Sequence, residues 1–215
     1  GIVCVEGKLQ PGIYTLPGNV SSQYISGLLF ALPLLEEDSE IRITTELQSE
    51  DYVKMTLDTL KAFSISVVYE KNCFYIPGKQ VYTIKDGLGV EGDWSNAAFF
   101  MTGAAIGQTQ ITYTNLNEAS LQGDKAVVDI LKNMGTNIER CEDAYTVSGS
   151  KMTAVDIHAK AIPDLVPILA LAASVSEGVT IISGAERLRI KESDRLKTVY
   201  ETLSTLGADI EEKED

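Results

Sequence analysis

Charged side chains crowd into one short stretch of this chain, Arg187-Leu188-Arg189-Ile190-Lys191-Glu192-Ser193-Asp194-Arg195-Leu196. Positions 185–197 hold five basic and three acidic residues in a protein of net charge −13. A local cationic field set against a global acidic one is what a small anionic ligand requires. The stretch follows an apolar run, Val179-Thr180-Ile181-Ile182, read as a strand, and opens an amphipathic helix. On a helix beginning at Lys191, Lys191 and Arg195 stand one turn apart and repel unless an anion lies between them, while Glu192 and Lys197 are at the wrong spacing to pair. The pattern is a poor stabilising ladder and a good anion site.

Two further places offer chemistry. Asn19-Val20-Ser21-Ser22-Gln23 precedes a long apolar helix. Asn and Ser are ordinary N-cap residues, and the same exposed N–H groups and helix dipole also favour a bound anion, so capping and anion binding both remain open here. Ile162-Pro163-Asp164 starts another apolar helix. Pro163 suits a first helical position and Asp164 suits the dipole; a carboxylate at the rim of an apolar helix is equally placed to act as a general base.

The elements that must position these residues repeat. Helices running through Leu60, Leu131 and Leu203 stand 71 and 72 positions apart, and a more apolar helix with a polar start lies upstream of each, at Asn19, Asp93 and Asp164. Such a period dictates architecture. The second helices carry clean helical faces: Val53, Thr56, Leu57 and Leu60; Val127, Ile130, Leu131 and Met134; Leu196, Val199, Tyr200 and Leu203. Gly135 and Gly207 follow two of them, where left-handed caps belong. The first helices, rich in small and apolar residues, are expected to be buried. Strands are expected at 40–44, 109–113 and 179–183, and again at 65–69, 137–140 and 209–211. The fold class is thus α/β, with two helices against a small sheet in each unit. Residues 78–89, with Pro77-Gly78, Asp86-Gly87 and Gly89, interrupt the period and read as a linker.

Composition excludes several classes. A charge of −13 repels nucleic acid and an anionic leaflet, and no apolar run reaches a membrane-spanning length. Cys4, Cys73 and Cys141 lack any metal or disulfide spacing, which suits free thiols in a reducing compartment. The single His158 argues against a His/Cys metal site and reads as a surface or packing residue. Glu142-Asp143 reads as a solvated turn and residues 211–215 as a frayed end. No signal peptide is visible, and both ends read as cut points within a longer protein.

Val20-Ser21-Ser22-Gln23, Glu91-Gly92-Asp93, Gln122-Gly123-Asp124, Ile162-Pro163-Asp164 and the stretch Arg189 through Leu196, in this order and spacing, resemble the 5-enolpyruvylshikimate-3-phosphate synthase family. The resemblance implies a two-lobed protein of repeated βαββαβ units, an inside-out α/β barrel. About three units are present here, with residues 1–85 in the first lobe, 86–215 in the second and a hinge around 78–90. It implies transfer of the enolpyruvyl group of phosphoenolpyruvate to the 5-hydroxyl of shikimate 3-phosphate with release of phosphate, by a monomeric cytoplasmic enzyme without cofactor or metal. Carried over by motif, Ser21, Ser22 and Gln23 contact shikimate 3-phosphate, joined by Ser49 and Tyr52. Asp164 accepts the 5-hydroxyl proton, Lys191 pairs with substrate, Glu192 handles the methylene proton, and Arg195 binds phosphoenolpyruvate. Glu192 is expected to be raised by closure of the site so that it serves as an acid. Arg187 is a further substrate contact, standing where some relatives carry a neutral amide.

The resemblance also implies parts with no match here: an amino-terminal Lys-Ser segment, a glycine-rich loop with its arginine, and carboxy-terminal His-Arg and Lys. The chain alone is therefore expected to be inactive. Two alternatives share some of these features. UDP-N-acetylglucosamine enolpyruvyl transferase has the same fold but suits the Lys-Glu-Ser-Asp-Arg pattern less well, and a non-catalytic βαββ binding module would need an exposed apolar patch for a protein partner.

Overall fold

Apolar runs broken by Gly, Asn and Ser resolve into short strands and helices in the computed structural model, which describes residues 3–48, 50–84, 87–107, 109–142 and 144–214. The chain divides into two units, Gly1–Gly89 and Val90–Asp215. In the first, β1 (Ile13–Leu16) leads through α1 (Ser22–Ala31) to β2 (Ser39–Ile43), then through α2 (Glu50–Ala62) to a hairpin of β3 (Val68–Glu70) and β4 (Cys73–Ile76). β1 and β2 pair in parallel with Ile13 opposite Glu40, and β4 is antiparallel to both β2 and β3, giving the order β1-β2-β4-β3. Strands β1, β2 and β3 therefore point the same way. Both helices must run back against them, so α1 and α2 start side by side at the carboxyl ends of β1 and β2. The strand period of two buries Ile41 and Ile43 and turns Arg42 outward. These join Phe74 and Ile76 under Ile25, Leu29, Val53 and Leu60 of the helices.

The second unit repeats this plan in pieces. α3 (Trp94–Ile106) leads to β5 (Gln110–Tyr113), α4 (Val127–Asn133), β6 (Asn137–Cys141) and β7 (Ala144–Ser148). The antiparallel order β5-β7-β6 matches β2-β4-β3 of the first unit. β8 (Ile157–His158) then connects through α5 (Val166–Ser174) to a parallel partner, β9 (Ile182–Ser183), as β1 connects through α1 to β2, and α6 (Arg195–Thr205) follows. Short 3-10 turns at Gly123–Ala126, Pro163–Leu165 and Glu186–Ile190 precede the helices of this unit. Alanines 97, 98, 104, 105 and 172 let α3 and α5 approach closely over a core holding Trp94, Met101, Leu131, Val147, Leu165, Leu169 and Leu188. Among the described residues no helix is long and apolar enough to cross a membrane.

The three second helices end identically. After α4, Gly135 N–H bonds the Lys132 carbonyl and Thr136 N–H reaches back to Leu131; after α6, Gly207 bonds Ser204 and Ala208 bonds Leu203. This double closure satisfies carbonyls that the helix leaves unpaired, and it needs a left-handed residue. Gly135 and Gly207 supply it at φ 97° and 94°. After α2 the same pair of bonds runs from Ser64 to Lys61 and from Ile65 to Leu60, with Ser64 forced to φ 65°. The buried Ile65 and Leu60 share one core and hold the turn in place.

Several expected boundaries move. The strand expected at 179–183 is only Ile182–Ser183, and that expected at 65–69 begins at Val68. Residues 209–211 form no strand; what holds the segment that follows them is an arginine, described below. The apolar face of α6 is thinly covered, with only Leu203 buried, because β8 and β9 offer just two residues each. His158 faces Ser183, its Nδ1 3.2 Å from Oγ, with its ring against Gly184 at φ 71°. In the interrupting segment, Gly78 N–H bonds Asp38, and the backbone of Lys79, Gln80 and Thr83 bonds Leu35, Pro33 and Phe63. Residues 78–83 are thus fastened to the first unit. Lys85 and Asp86 lie outside the described residues, as does Asp143 of the expected turn.

Because a left-handed conformation costs a non-glycine residue about 1–2 kcal/mol, Ser64→Gly is expected to stabilise the chain by about 1 kcal/mol and Gly207→Ala to destabilise it by a similar amount. Urea midpoints measured at unchanged slope check both.

Candidate active site

Each repeat brings two helix starts together, and each start presents N–H groups that the helix itself does not satisfy. What meets those groups differs in the three repeats. In the first, Ser21 is extended at φ −154° and its Oγ accepts from Gln23 N–H at 3.3 Å, so it caps α1. Asn19, also a cap candidate from its type, instead ties two loops together. Thr45 Oγ1 accepts from the N–H groups of Gly18 (2.9 Å) and Asn19 (3.2 Å) and donates to Asn19 Oδ1 (3.0 Å), while Gln48 N–H bonds the Gly18 carbonyl. Gly18 is required by this approach: a Cβ there would lie 2.7 Å from Ile43 Cγ2 and 2.9 Å from the Glu46 carbonyl oxygen. One turn below the starts, Ser26 and Thr56 hydroxyls meet at 2.7 Å across α1 and α2. Ser22 and Tyr52 each precede that contact by one turn on parallel helices, so both lie at the same end as Ser21. The Ser22 hydroxyl and the Gln23 side-chain amide make no hydrogen bond among the described residues. Ser49 lies outside the described residues.

In the second repeat the paired starts seal each other. Asp93 caps α3 through Asn96 N–H (3.1 Å). Gln122 Oε1 accepts from Trp94 N–H at 2.8 Å, and its Nε2 donates to Glu91 Oε1 and the Gly92 carbonyl, both at 2.9 Å. Ser120 Oγ also donates to Glu91 Oε1 at 2.7 Å, and the Ser95 hydroxyl donates to Asp124, which is only 2% exposed. The motifs Glu91-Gly92-Asp93 and Gln122-Gly123-Asp124 are therefore a polar latch between helix starts.

In the third repeat the starts of α5 and α6 carry ions. Arg195, the first residue of α6, donates through Nη1 to Asp164 Oδ1 at 2.7 Å. Its Nη2 and Nε grip Glu192 in a fork, at 2.7 and 3.1 Å. Asp164 sits in the 3-10 turn before α5, so one guanidinium bridges both starts. The hydrogen bond from Arg195, with lesser help from the charge on Lys191, holds the Glu192 carboxyl below the usual glutamate range. Lys191 itself makes no hydrogen bond or ion pair among the described residues. Arg187 is buried at 8% exposure in the 3-10 turn. Burial pushes its guanidinium below the ordinary arginine value, and the charges of Glu186 and Asp164 act the other way.

The 5-enolpyruvylshikimate-3-phosphate synthase family model, described as EPSP synthase (3-phosphoshikimate 1-carboxyvinyltransferase), matches residues 3–215. The chain belongs to this family. It is 50% identical over 214 residues to the 3-phosphoshikimate 1-carboxyvinyltransferase of Clostridium kluyveri, covering 98% of this chain and 49% of that one. Against the enzyme of the same name from Clostridium novyi it is 49% identical, covering 98% and 48%. An EPSP synthase structure from Acinetobacter baumannii superposes with a TM-score of 0.75 at 28% identity, covering 97% of this chain and 48% of that one. The chain spans about half the length of the curated relatives it matches.

Within this chain, the second unit brings Asp164 and Glu192 into direct contact with Arg195 and keeps Lys191 and Arg187 in electrostatic reach. Two expectations need correction. The amphipathic helix starts at Arg195 with Asp194 as its cap, because Asp194 Oδ1 accepts from Lys197 N–H (3.1 Å); Lys191 and Arg195 are therefore not one helical turn apart. Their mutual repulsion is relieved by the two carboxylates on Arg195. The rise expected for Glu192 belongs to the closed site; in this arrangement the hydrogen bond from Arg195 lowers it. Residues 212–214 are not frayed: Arg189 donates to Glu212 Oε1 at 2.6 Å and to the carbonyls of Lys213 and Glu214. Arg189 was visible in the charged motif, but its partner twenty-three positions on carries no sequence signal.

Glu192 is expected to titrate below an ordinary glutamate, and Arg195→Gln to bring it back up. The ion pair is present above the unfolded-state value, near 4.3, and lost as pH falls through the lower folded value. Carboxyl NMR titration measures both. In the sealed repeat, Gln122→Ala should cost about 1–3 kcal/mol, since it orphans buried partners, again read from urea midpoints.

Proposed function

We propose that this chain forms part of an enzyme that transfers the enolpyruvyl group of phosphoenolpyruvate to the 5-hydroxyl of shikimate 3-phosphate. The observation that carries the reading is the Arg195 fork, which collects Asp164 and Glu192 at paired helix starts. The reaction needs a base for the hydroxyl and an acid for the methylene carbon. Asp164 takes the 5-hydroxyl proton as its oxygen bonds to the central carbon of phosphoenolpyruvate. Glu192 gives a proton to the methylene carbon, then recovers it as the carbon–oxygen bond to phosphate breaks, which restores the double bond and expels phosphate. Arg195, Lys191 and Arg187 neutralise the negative charge the substrates bring.

The substrate-free arrangement fits this division. Arg195 is occupied by carboxylates that stand where substrate anions would bind. An arriving anion that takes the fork removes from Glu192 the donor that keeps it ionised, and a glutamate released next to other negative charge rises toward an acid's range. In the first unit Ser21, Ser22 and Gln23, with Ser49 and Tyr52, would hold shikimate 3-phosphate. Two adjacent helix starts favour a phosphate there through their N–H groups and dipoles, and the free hydroxyl of Ser22 and amide of Gln23 are left to bind it. We read the enzyme as monomeric and cytoplasmic, which suits three free thiols, with a hinge between its lobes around residues 78–90.

Shikimate 3-phosphate is expected to raise the melting temperature of the 215-residue chain, and UDP-N-acetylglucosamine to leave it unchanged. Stabilisation by the UDP-sugar alone would overturn the assignment in favour of the related transferase, and stabilisation by neither would favour a binding module. The 215-residue chain by itself should show no turnover. In the full-length enzyme, Asp164→Asn and Glu192→Gln should each lower kcat by roughly 10² to 10⁴, the worth of one positioned acid or base.

A further inference from the structure

Arg189 sits outside the set of residues that would touch substrate, yet its guanidinium is held by four hydrogen bonds among the described residues. It ends the 3-10 turn Glu186–Ile190 together with Ile190, and its guanidinium joins three segments. Nη1 donates to Asp194 Oδ2 at 3.2 Å and to Glu212 Oε1 at 2.6 Å, Nε donates to the Glu214 carbonyl at 3.3 Å, and Nη2 donates to the Lys213 carbonyl. Asp194 is shared: its other oxygen caps α6 through Lys197 N–H at 3.1 Å. Between Arg189 and Asp194 lie only Ile190, Lys191, Glu192 and Ser193. The ion pair therefore closes a six-residue loop whose contents are the two side chains assigned to charge pairing and methylene protonation, and whose end is the residue before Arg195.

We infer that Arg189 is a positioning residue: with Asp194 as its direct partner and Glu212 as a second anchor, it fixes the loop that aims Lys191 and Glu192 at the substrate. This rests on the function proposed above. The loop has no regular structure from Lys191 to Asp194, and both Ile190 and Glu192 are exposed, so neither secondary structure nor core packing holds it. Its geometry comes from its two ends. The amino end is the 3-10 turn anchored by buried Leu188, and the carboxyl end is the α6 cap; the guanidinium ties one to the other. A planar fork with several fixed donors can hold Asp194 and Glu212 at once, which a lysine ammonium on a flexible stem does less well. A misplacement of about 1 Å at a reacting group costs on the order of 10²-fold in rate, so loss of this tie should appear in the chemical step.

The test uses the full-length enzyme carrying this chain. Asp194→Asn keeps a good N-cap, since asparagine caps about as well as aspartate, but removes the charge that Arg189 holds. Arg189→Gln removes the other partner. Each variant is expected to lower kcat by about tenfold to 10²-fold, with the KM for shikimate 3-phosphate within about twofold, and the double variant to fall no further than the worse single one. Should Arg189→Gln fail to fold, Asp194→Asn alone carries the comparison. Unchanged kcat in Asp194→Asn, or losses in the two singles that multiply in the double, would overturn the positioning role. An unsubstituted enzyme that does not form enolpyruvylshikimate 3-phosphate at all would instead overturn the proposed function.

Discussion

The direction of the strands governs this protein. Where two strands flank a helix, at α1, α2, α4 and α5, they point the same way, so the helix must return against them and its start falls at their carboxyl ends. Four N–H groups at each start have no partner within the helix, and two starts lie side by side. That doubled set of donors, with the dipoles behind it, has to be satisfied by something negative or by something polar. The repeats differ in how they do it. The first caps α1 with Ser21 and leaves Ser22 and Gln23 uncommitted. The second closes the gap with Gln122, Glu91 and Asp124. In the third, Asp194 caps α6 and Arg195 bridges Asp164 and Glu192 across the two starts. One scaffold thus supplies a start with no side-chain partner for Ser22 and Gln23 among the described residues, a structural latch and a carboxylate–arginine cluster, and the difference lies in a handful of side chains at equivalent places.

Charge sharpens this division. A chain of net charge −13 repels anionic ligands at long range, and screening confines that repulsion to about 8–10 Å at physiological salt. Within that distance the five basic residues of 185–197 dominate. Their spread is not uniform. Arg187 is buried, Arg189 is committed to Asp194 and Glu212, and Arg195 is held by two carboxylates, which leaves Lys191 as the cation of this stretch whose ammonium is unclaimed among the described residues.

Much of this was legible in the sequence, for identifiable reasons. The period near 72 was visible because Leu60, Leu131 and Leu203 end amphipathic helices, and those helices close with the same pair of backbone bonds. Gly135 and Gly207 announced two of the closures; Ser64 concealed the third, because the buried Ile65 forces a left-handed turn on a residue whose type does not signal it. The resemblance assigns Asp164 and Arg195 separate roles and does not pair them; thirty-one positions separate them, and no local pattern links a 3-10 turn to a later helix start. The start of α6 was misplaced by four residues because Lys191 and Glu192 have good helix propensity, whereas the cap at Asp194 and its tie to Arg189 decide the boundary. The strand expected at 179–183 rests on apolar content and that at 209–211 on its place in the repeat, and strand pairing depends on a neighbour that neither signal specifies.

The substrate-free ion cluster answers a problem that any anion site in an acidic protein faces. An arginine set at the junction of two helix starts needs a counter-charge, and Asp164 and Glu192, the pair proposed above as base and acid, supply it. A deeply buried pair would be hard to break, because separating it strands a charge without water. This cluster is graded instead. Asp164 and Arg195 are about one-third exposed on their side chains, while Glu192 is 73% exposed. Largely exposed ion pairs are worth little against water and salt, so the Glu192 arm is the one an incoming phosphate or carboxylate can replace at small cost, while the Asp164 arm stays. In the proposed reaction this exchange would keep Arg195 satisfied throughout and act on one carboxyl group, that of Glu192. On that proposal the exposure of Glu192 is what would couple ligand binding to acid strength through a single guanidinium.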